Sequence, residues 1–77
     1  FYLASTSPHT TISPNAKWVG KSGLDSPYAD FVMETDDILG SVMDALEQNG
    51  LTENTIVMFA SDNGFASYVG AVHVIEE

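Results

Sequence analysis

The chain has 77 residues, and its 11 Asp plus Glu against 2 Lys plus Arg give a formal net charge of −9. Two cations cannot neutralise a run of phosphates, which excludes a nucleic-acid binder, and the acid excess repels an anionic membrane surface. Cysteine is absent, which removes disulfides, thiolate zinc sites and a thiol nucleophile, while 44% hydrophobic and 10% aromatic content removes a disordered acidic chain.

The opening Phe1-Tyr2-Leu3-Ala4 has no initiator Met and no basic region before an apolar stretch, so it does not read as a signal peptide. It reads as a chain entered mid-strand, and the expectation is a piece of a larger protein. No apolar run approaches the ~20 residues of a membrane span. Residues 1–5 are a short apolar run bounded by Thr, Ser and Pro, which predicts a buried strand. Residues 6–27 hold Pro8, Pro14, Pro27, Gly20 and Gly23 and predict a long loop, with Ile12 and Trp18 as apolar anchors that keep it ordered.

The clearest element follows. Phe31, Thr35, Ile38, Leu39, Val42 and Leu46 recur at three- and four-residue spacing, with Glu34, Asp37, Asp44 and Glu47 mostly opposite, so an amphipathic helix is expected over 28–49. Pro27 suits its first turn, and Asp30 places negative charge where the helix dipole favours it. Asn49-Gly50 ends it, with Gly50 as a left-handed cap and Leu51 packing back. Gly40 in its middle suggests a close approach to a neighbour. Residues 55–60, Thr-Ile-Val-Met-Phe-Ala, are apolar without alternation, as in a strand covered on both faces, and Ser61-Asp62-Asn63-Gly64 breaks the run. Residues 61–77 are expected to be loop, with no clear period.

Strand, long loop, helix and strand together predict an α/β fold: a right-handed βαβ unit with parallel strands. Parallel strands occur almost only with both faces covered, so the unit would belong to a larger, mainly parallel sheet. In such sheets ligands bind beyond the carboxyl ends of the strands. Two segments leave such ends, Ser7-Pro8-His9-Thr10 and Ser61-Asp62-Asn63-Gly64, which would bring His9 and Asp62/Asn63 to one rim.

Asp62 and Asn63 offer a carboxylate and an amide carbonyl, hard oxygen ligands for Ca²⁺ or Mg²⁺, with Gly64 allowing a tight turn. The same tripeptide is also ordinary turn chemistry. His9 could serve as a general acid or contact an anion, or be a loop histidine without a role. His73 has little around it to suggest one. The acidic side of the helix, with Asp36, Asp37, Asp44 and Glu47, reads as a solvated face. No Gly-x-Ser-x-Gly elbow accompanies Ser5, Ser7 and Thr10, which disfavours a Ser-His-Asp hydrolase.

The order of these segments resembles the type I sulfatase family, with an arylsulfatase flavour. The resemblance rests on Phe-Tyr-Leu-Ala-Ser5, Ser7-Pro-His-Thr10, Lys21-Ser-Gly23, Tyr28-Ala-Asp-Phe-Val-Met-Glu-Thr-Asp36, Gly40-Ser-Val-Met-Asp-Ala-Leu46 and Leu51 through Ala60-Ser-Asp-Asn-Gly64. It covers residues 1–64 and implies an alkaline-phosphatase-like α/β domain that hydrolyses sulfate esters of small molecules or glycans. It further implies a formylglycine nucleophile beside Ca²⁺, Asp62 and Asn63 as two calcium ligands, and His9 as the histidine contacting the sulfate. Such proteins are commonly exported (periplasmic, secreted or lysosomal), and a targeting segment would lie upstream of these residues.

The departures matter equally. The Cys-x-Pro-x-Arg segment that yields formylglycine, the family's N-terminal Asp pair and the lysine usual after Gly64 are missing, and Thr11 stands where a proline is frequent. The remainder of the domain is therefore the expected partner of this chain, and the 77 residues alone should be inactive. A related phosphoesterase or phosphonate hydrolase is an alternative, as is a small acidic binding module without catalysis.

Overall fold

The structure, a computed structural model, describes residues 1–65. It is organised by one helix, α1, Pro27–Gln48, flanked by single 3-10 turns at Ala16–Trp18 and Thr52–Asn54. The helix begins where its sequence provides a start. Ser26 is its N-cap and accepts the Ala29 N–H at 3.2 Å, Pro27 occupies the first turn where a missing N–H costs nothing, and Asp30 is the acidic residue of that turn. It ends in two bonds that satisfy otherwise orphaned carbonyls: Gly50 N–H to Glu47 at 3.1 Å and Leu51 N–H to Leu46 at 2.9 Å. The reversal needs a left-handed residue, and Gly50 supplies it at φ +67°. The helix thus starts and stops one residue earlier than its periodicity predicts. Two details differ from expectation: Leu51 remains 48% exposed, and a Cβ built on Gly40 would meet nothing within 4 Å.

The α/β expectation is corrected. Among the described residues there is no strand and no sheet, so the strand–loop–helix–strand unit with strands at 1–5 and 55–60 does not form. Both runs lack regular structure, and their side chains lie in solvent: Phe1, Tyr2, Ile56, Met58 and Phe59 are all exposed. The physical reason is that an apolar run without alternation reports a demand for cover on two faces. Here the described residues contain no second layer to cover those faces. The apolar stripe of α1 shows the same shortage, since Ile38, Leu39, Val42 and Leu46 are only half-buried.

Order is concentrated where the loop meets the first half of the helix. Phe31 is the buried hydrophobic residue of the described chain, and Ser7, Ser26 and Asp30 are buried with it. The loop is ordered, as its anchors suggest, but it is held largely by polar bonds. Asp30 accepts the N–H of Gly20 at 2.8 Å through Oδ2 and that of Ser22 at 3.0 Å through Oδ1. One turn on, Glu34 accepts the Asn15 N–H at 2.8 Å, and Thr35 donates to Ser7 Oγ at 3.0 Å. As the loop runs from residue 7 to 22, its helix partners run from 35 back to 30, so it lies antiparallel along the opening turns of α1. None of the helices among the described residues is long and apolar enough to cross a membrane.

Candidate functional site

His9 sits in a turn built from its own neighbours. The His9 N–H bonds to the Thr6 carbonyl at 3.0 Å, closing Thr6-Ser7-Pro8-His9 into a reversal. Its ring Nδ1 lies 2.7 Å from the Thr10 carbonyl. A carbonyl oxygen can only accept, so Nδ1 carries the proton and Nε2 is the ring nitrogen left for other chemistry. The ring is solvent-exposed and borders an open hollow of about 400 Å³ lined by Ser5, Thr6, His9, Thr10, Thr11 and Phe31.

The chemistry of that lining is informative in so acidic a chain. It presents four hydroxyl side chains, one imidazole and one phenyl ring, and no carboxylate. Hydroxyls donate to anionic oxygens, and the imidazole can add a positive charge. The acidic side of α1 lies elsewhere, with Asp36, Asp37, Asp44 and Glu47 all exposed as a solvated face.

Ser7 anchors the turn. It is buried and reaches Ser5 Oγ at 2.8 Å and Thr35 Oγ1 at 3.0 Å. Thr35 shares its hydroxyl between Ser7 Oγ and the Phe31 carbonyl, also at 3.0 Å. Helical spacing puts Phe31 and Thr35 on one face, so the same strip of helix gives the hollow its apolar wall and the turn its polar anchor. Sequence periodicity counts Thr35 within the apolar stripe; the signal for its role was a hydroxyl standing where the pattern asks for a hydrocarbon.

Asp62 and Asn63 lie in a bend after the exposed 55–60 run. Asn63 Nδ2 donates to the Gly64 carbonyl at 2.6 Å, which leaves Oδ1 as the acceptor end of its amide, and Ser61 Oγ donates to the Asn63 carbonyl at 2.6 Å. Gly64 does not use a positive φ, so the bend does not depend on glycine at that position. Among the described residues no hydrogen bond joins His9 to Asp62 or Asn63, and no group of three or more His, Cys, Asp or Glu could hold a metal ion. In kind, the pair fits a hard cation; in number it is two oxygens where calcium takes six to eight. His73 lies outside the described residues.

The two lysines fall in the loop. Lys17 Nζ stands 5.4 Å from the centroid of the Trp18 ring, a cation–π contact.

Comparison with known proteins places the chain. The family profile described as Sulfatase matches residues 1–76. An N-acetylgalactosamine-6-O-sulfatase of Bacteroides thetaiotaomicron is 36% identical over 63 residues, covering 82% of this chain and 12% of that protein. The mouse N-acetylgalactosamine-6-sulfatase is 37% identical over 65 residues, covering 84% and 12%. Human arylsulfatase H is 43% identical over 56 residues, covering 73% and 10%. No solved structure gives a significant match. The chain belongs to the sulfatase family, and it spans 10–12% of the length of these relatives.

Proposed function

We propose that this chain is a segment of a calcium-dependent sulfuric ester hydrolase, in which it supplies a histidine at the ester and part of a metal site. The observation that carries this reading is the match to the sulfatase family across residues 1–76. The hollow beside His9 agrees with it in chemistry, being lined with hydroxyls and free of carboxylate. The substrate class is a sulfate ester, either aryl or on a sugar hydroxyl, as the names of the relatives suggest.

His9 is the proposed catalytic residue. With Nδ1 committed to the Thr10 carbonyl, a protonated ring presents its Nε2–H outward. That proton can pass to the ester oxygen as the sulfur–oxygen bond breaks and negative charge grows there. The hydroxyls of Ser5, Thr6, Thr10 and Thr11 offer donors to the sulfate oxygens. Asp62 and Asn63 Oδ1 would hold calcium together with ligands from the rest of the protein. When bound, calcium supplies the positive charge that polarises the sulfate. The nucleophile, a formylglycine in this reading, must also come from outside these residues, since the chain has no cysteine to yield one.

The test uses the full-length protein with 4-nitrophenyl sulfate, N-acetylgalactosamine 6-sulfate and 4-nitrophenyl phosphate as alternative substrates. Sulfate turnover that falls on chelation and returns with calcium is expected, and Asp62→Ala should weaken the calcium response. Turnover of the phosphate ester above both sulfates would instead identify a phosphoesterase of related chemistry. The 77 residues alone should turn over none of the three. A sulfatase rate from the isolated chain above that of its His9→Ala variant would overturn this division of labour.

A further inference from the structure

We infer that Thr35 is a positioning residue for His9, acting from helix α1 through the buried hydroxyl of Ser7. The inference rests on the reading of His9 given above, and extends it to a residue 26 positions away that touches neither the ring nor the hollow.

His9 is exposed, so packing does not fix its ring; its place depends on the backbone that carries it. That backbone is the turn closed by the His9 N–H on the Thr6 carbonyl at 3.0 Å. Ser7 is the first of the two residues inside the turn, and its side chain is buried against the helix, 7% exposed, with Thr35 Oγ1 at 3.0 Å. The hydroxyl of Thr35 is itself held, because the Phe31 carbonyl one helical turn back lies 3.0 Å away. The tether therefore runs from a rigid helix, through two hydroxyls, into the turn that aims the imidazole. Phe31 shares the same face and forms one wall of the hollow, so Thr35 fixes His9 relative to that wall. The side-chain bonds from helix to loop at Asn15, Gly20 and Ser22 enter the loop well after His9, whereas the Thr35–Ser7 bond enters the turn itself.

Replacing Thr35 by Val keeps the shape and the β-branch but deletes the hydroxyl, leaving Ser7 buried without that partner. Small misplacement of a catalytic group lowers turnover steeply. In the full-length protein with 4-nitrophenyl sulfate, Thr35→Val should lower kcat about tenfold with KM changed less than about twofold. Thr35→Ser should restore most of kcat, because the hydroxyl returns. Ser7→Ala attacks the same link from the loop side and should reproduce the loss should Thr35→Val fold poorly.

The decisive comparison places Thr35→Val in a His9→Ala background. There the Thr35 substitution should have no further effect, since the group it positions is gone. A full additional tenfold loss in that background would show that Thr35 acts elsewhere and overturn the inference. So would an equal loss in Thr35→Ser, or unchanged kcat in both Thr35→Val and Ser7→Ala while His9→Ala is strongly impaired. Unchanged turnover in His9→Ala itself would overturn the reading of the catalytic histidine, and this inference with it.

Discussion

The loop and opening turns of α1 differ sharply from the segment that follows the helix, though both are rich in polar residues. In the first region side chains reach far along the sequence: Thr35 to Ser7, Glu34 to Asn15 and Asp30 to Gly20, separations of 28, 19 and 10 residues. Over residues 51–65 the side-chain bonds join near neighbours: Thr55 to the Leu51 carbonyl, Ser61 to Asn63 and Asn63 to Gly64, separations of 4, 2 and 1. The first region buries Phe31, while residues 51–65 are exposed throughout. Tertiary order in this chain therefore follows from polar side chains with a helix to stand on. Apolar content alone does not produce it, since the 55–60 run is more hydrophobic than the loop and less ordered by its contacts.

The largest way to sharpen this contrast lies in catalysis by the full-length protein. His9 belongs to the tethered region, and in the proposed function its loss removes the proton donor. His9→Ala should lower kcat on an aryl sulfate by about a hundredfold, within the usual range for deleting a general acid. A change below about threefold would leave the tethered turn without a chemical role. The next effect is on stability of the 77-residue chain. Deleting a buried phenyl ring typically costs about 3–5 kcal/mol, a large loss where Phe31 is the one buried hydrophobe among the described residues. Phe31→Ala should thus abolish hydrogen-exchange protection at Asn15, Gly20 and Ser22. Met58, 88% exposed, is the control, and Met58→Ala should shift stability by less than about 0.5 kcal/mol. Equal effects at the two positions would erase the distinction between the regions.

A smaller effect is expected at the boundary between them. Gly50 turns the chain out of the helix at φ +67° with open space around it, so an added methyl meets no neighbour and only the backbone preference changes. Gly50→Ala should cost about 1 kcal/mol, seen as fraying of the last turn by circular dichroism, with loss of protection at the Leu51 amide. Protection at Gly20 and Ser22 should remain. Simultaneous loss there would mean that the loop contact depends on the helix end.

The helix was legible in the sequence because several independent signals agreed: three- and four-residue apolar spacing, proline at the start, and Asn-Gly at the end. The runs at 1–5 and 55–60 were misread because a strand is not a property of its own residues. Their β-branched and aromatic content states what environment they suit, and nothing among the described residues provides it. The convergence of His9 with Asp62 and Asn63 was inferred from those strands, so it lost its structural basis with them; the chemical case for each residue stands independently. Asp30 was legible only by half. Its place in the first turn suggested a surface charge favoured by the helix dipole, whereas the carboxylate is buried and gathers two loop N–H groups. The clue was the Gly20-Lys-Ser22-Gly23 segment just upstream, a flexible stretch with backbone donors to satisfy.

Asp30 also provides the most local test. The Ser22 hydroxyl, and then the backbone N–H groups of Gly20 and Ser22, hold its carboxyl below the ordinary 3.8, and the opposing effect of burial is smaller. A carboxylate whose folded value is depressed stabilises the structure where it is ionised. That contribution is complete above pH 3.8 and fades as pH falls through the lower folded value. The amide proton shifts of Gly20 and Ser22 should therefore hold steady from neutral pH down to the carboxylate range, then move together with a midpoint below 3.8. Asp30→Asn keeps one acceptor oxygen where the carboxylate had two, so it should release one of the two amides and remove the acid-dependent step from both. The signal from α1 should change little at neutral pH, because Ser26 still caps the helix at Ala29. A midpoint at or above 3.8 would mean that the amides do not stabilise the charged form of Asp30.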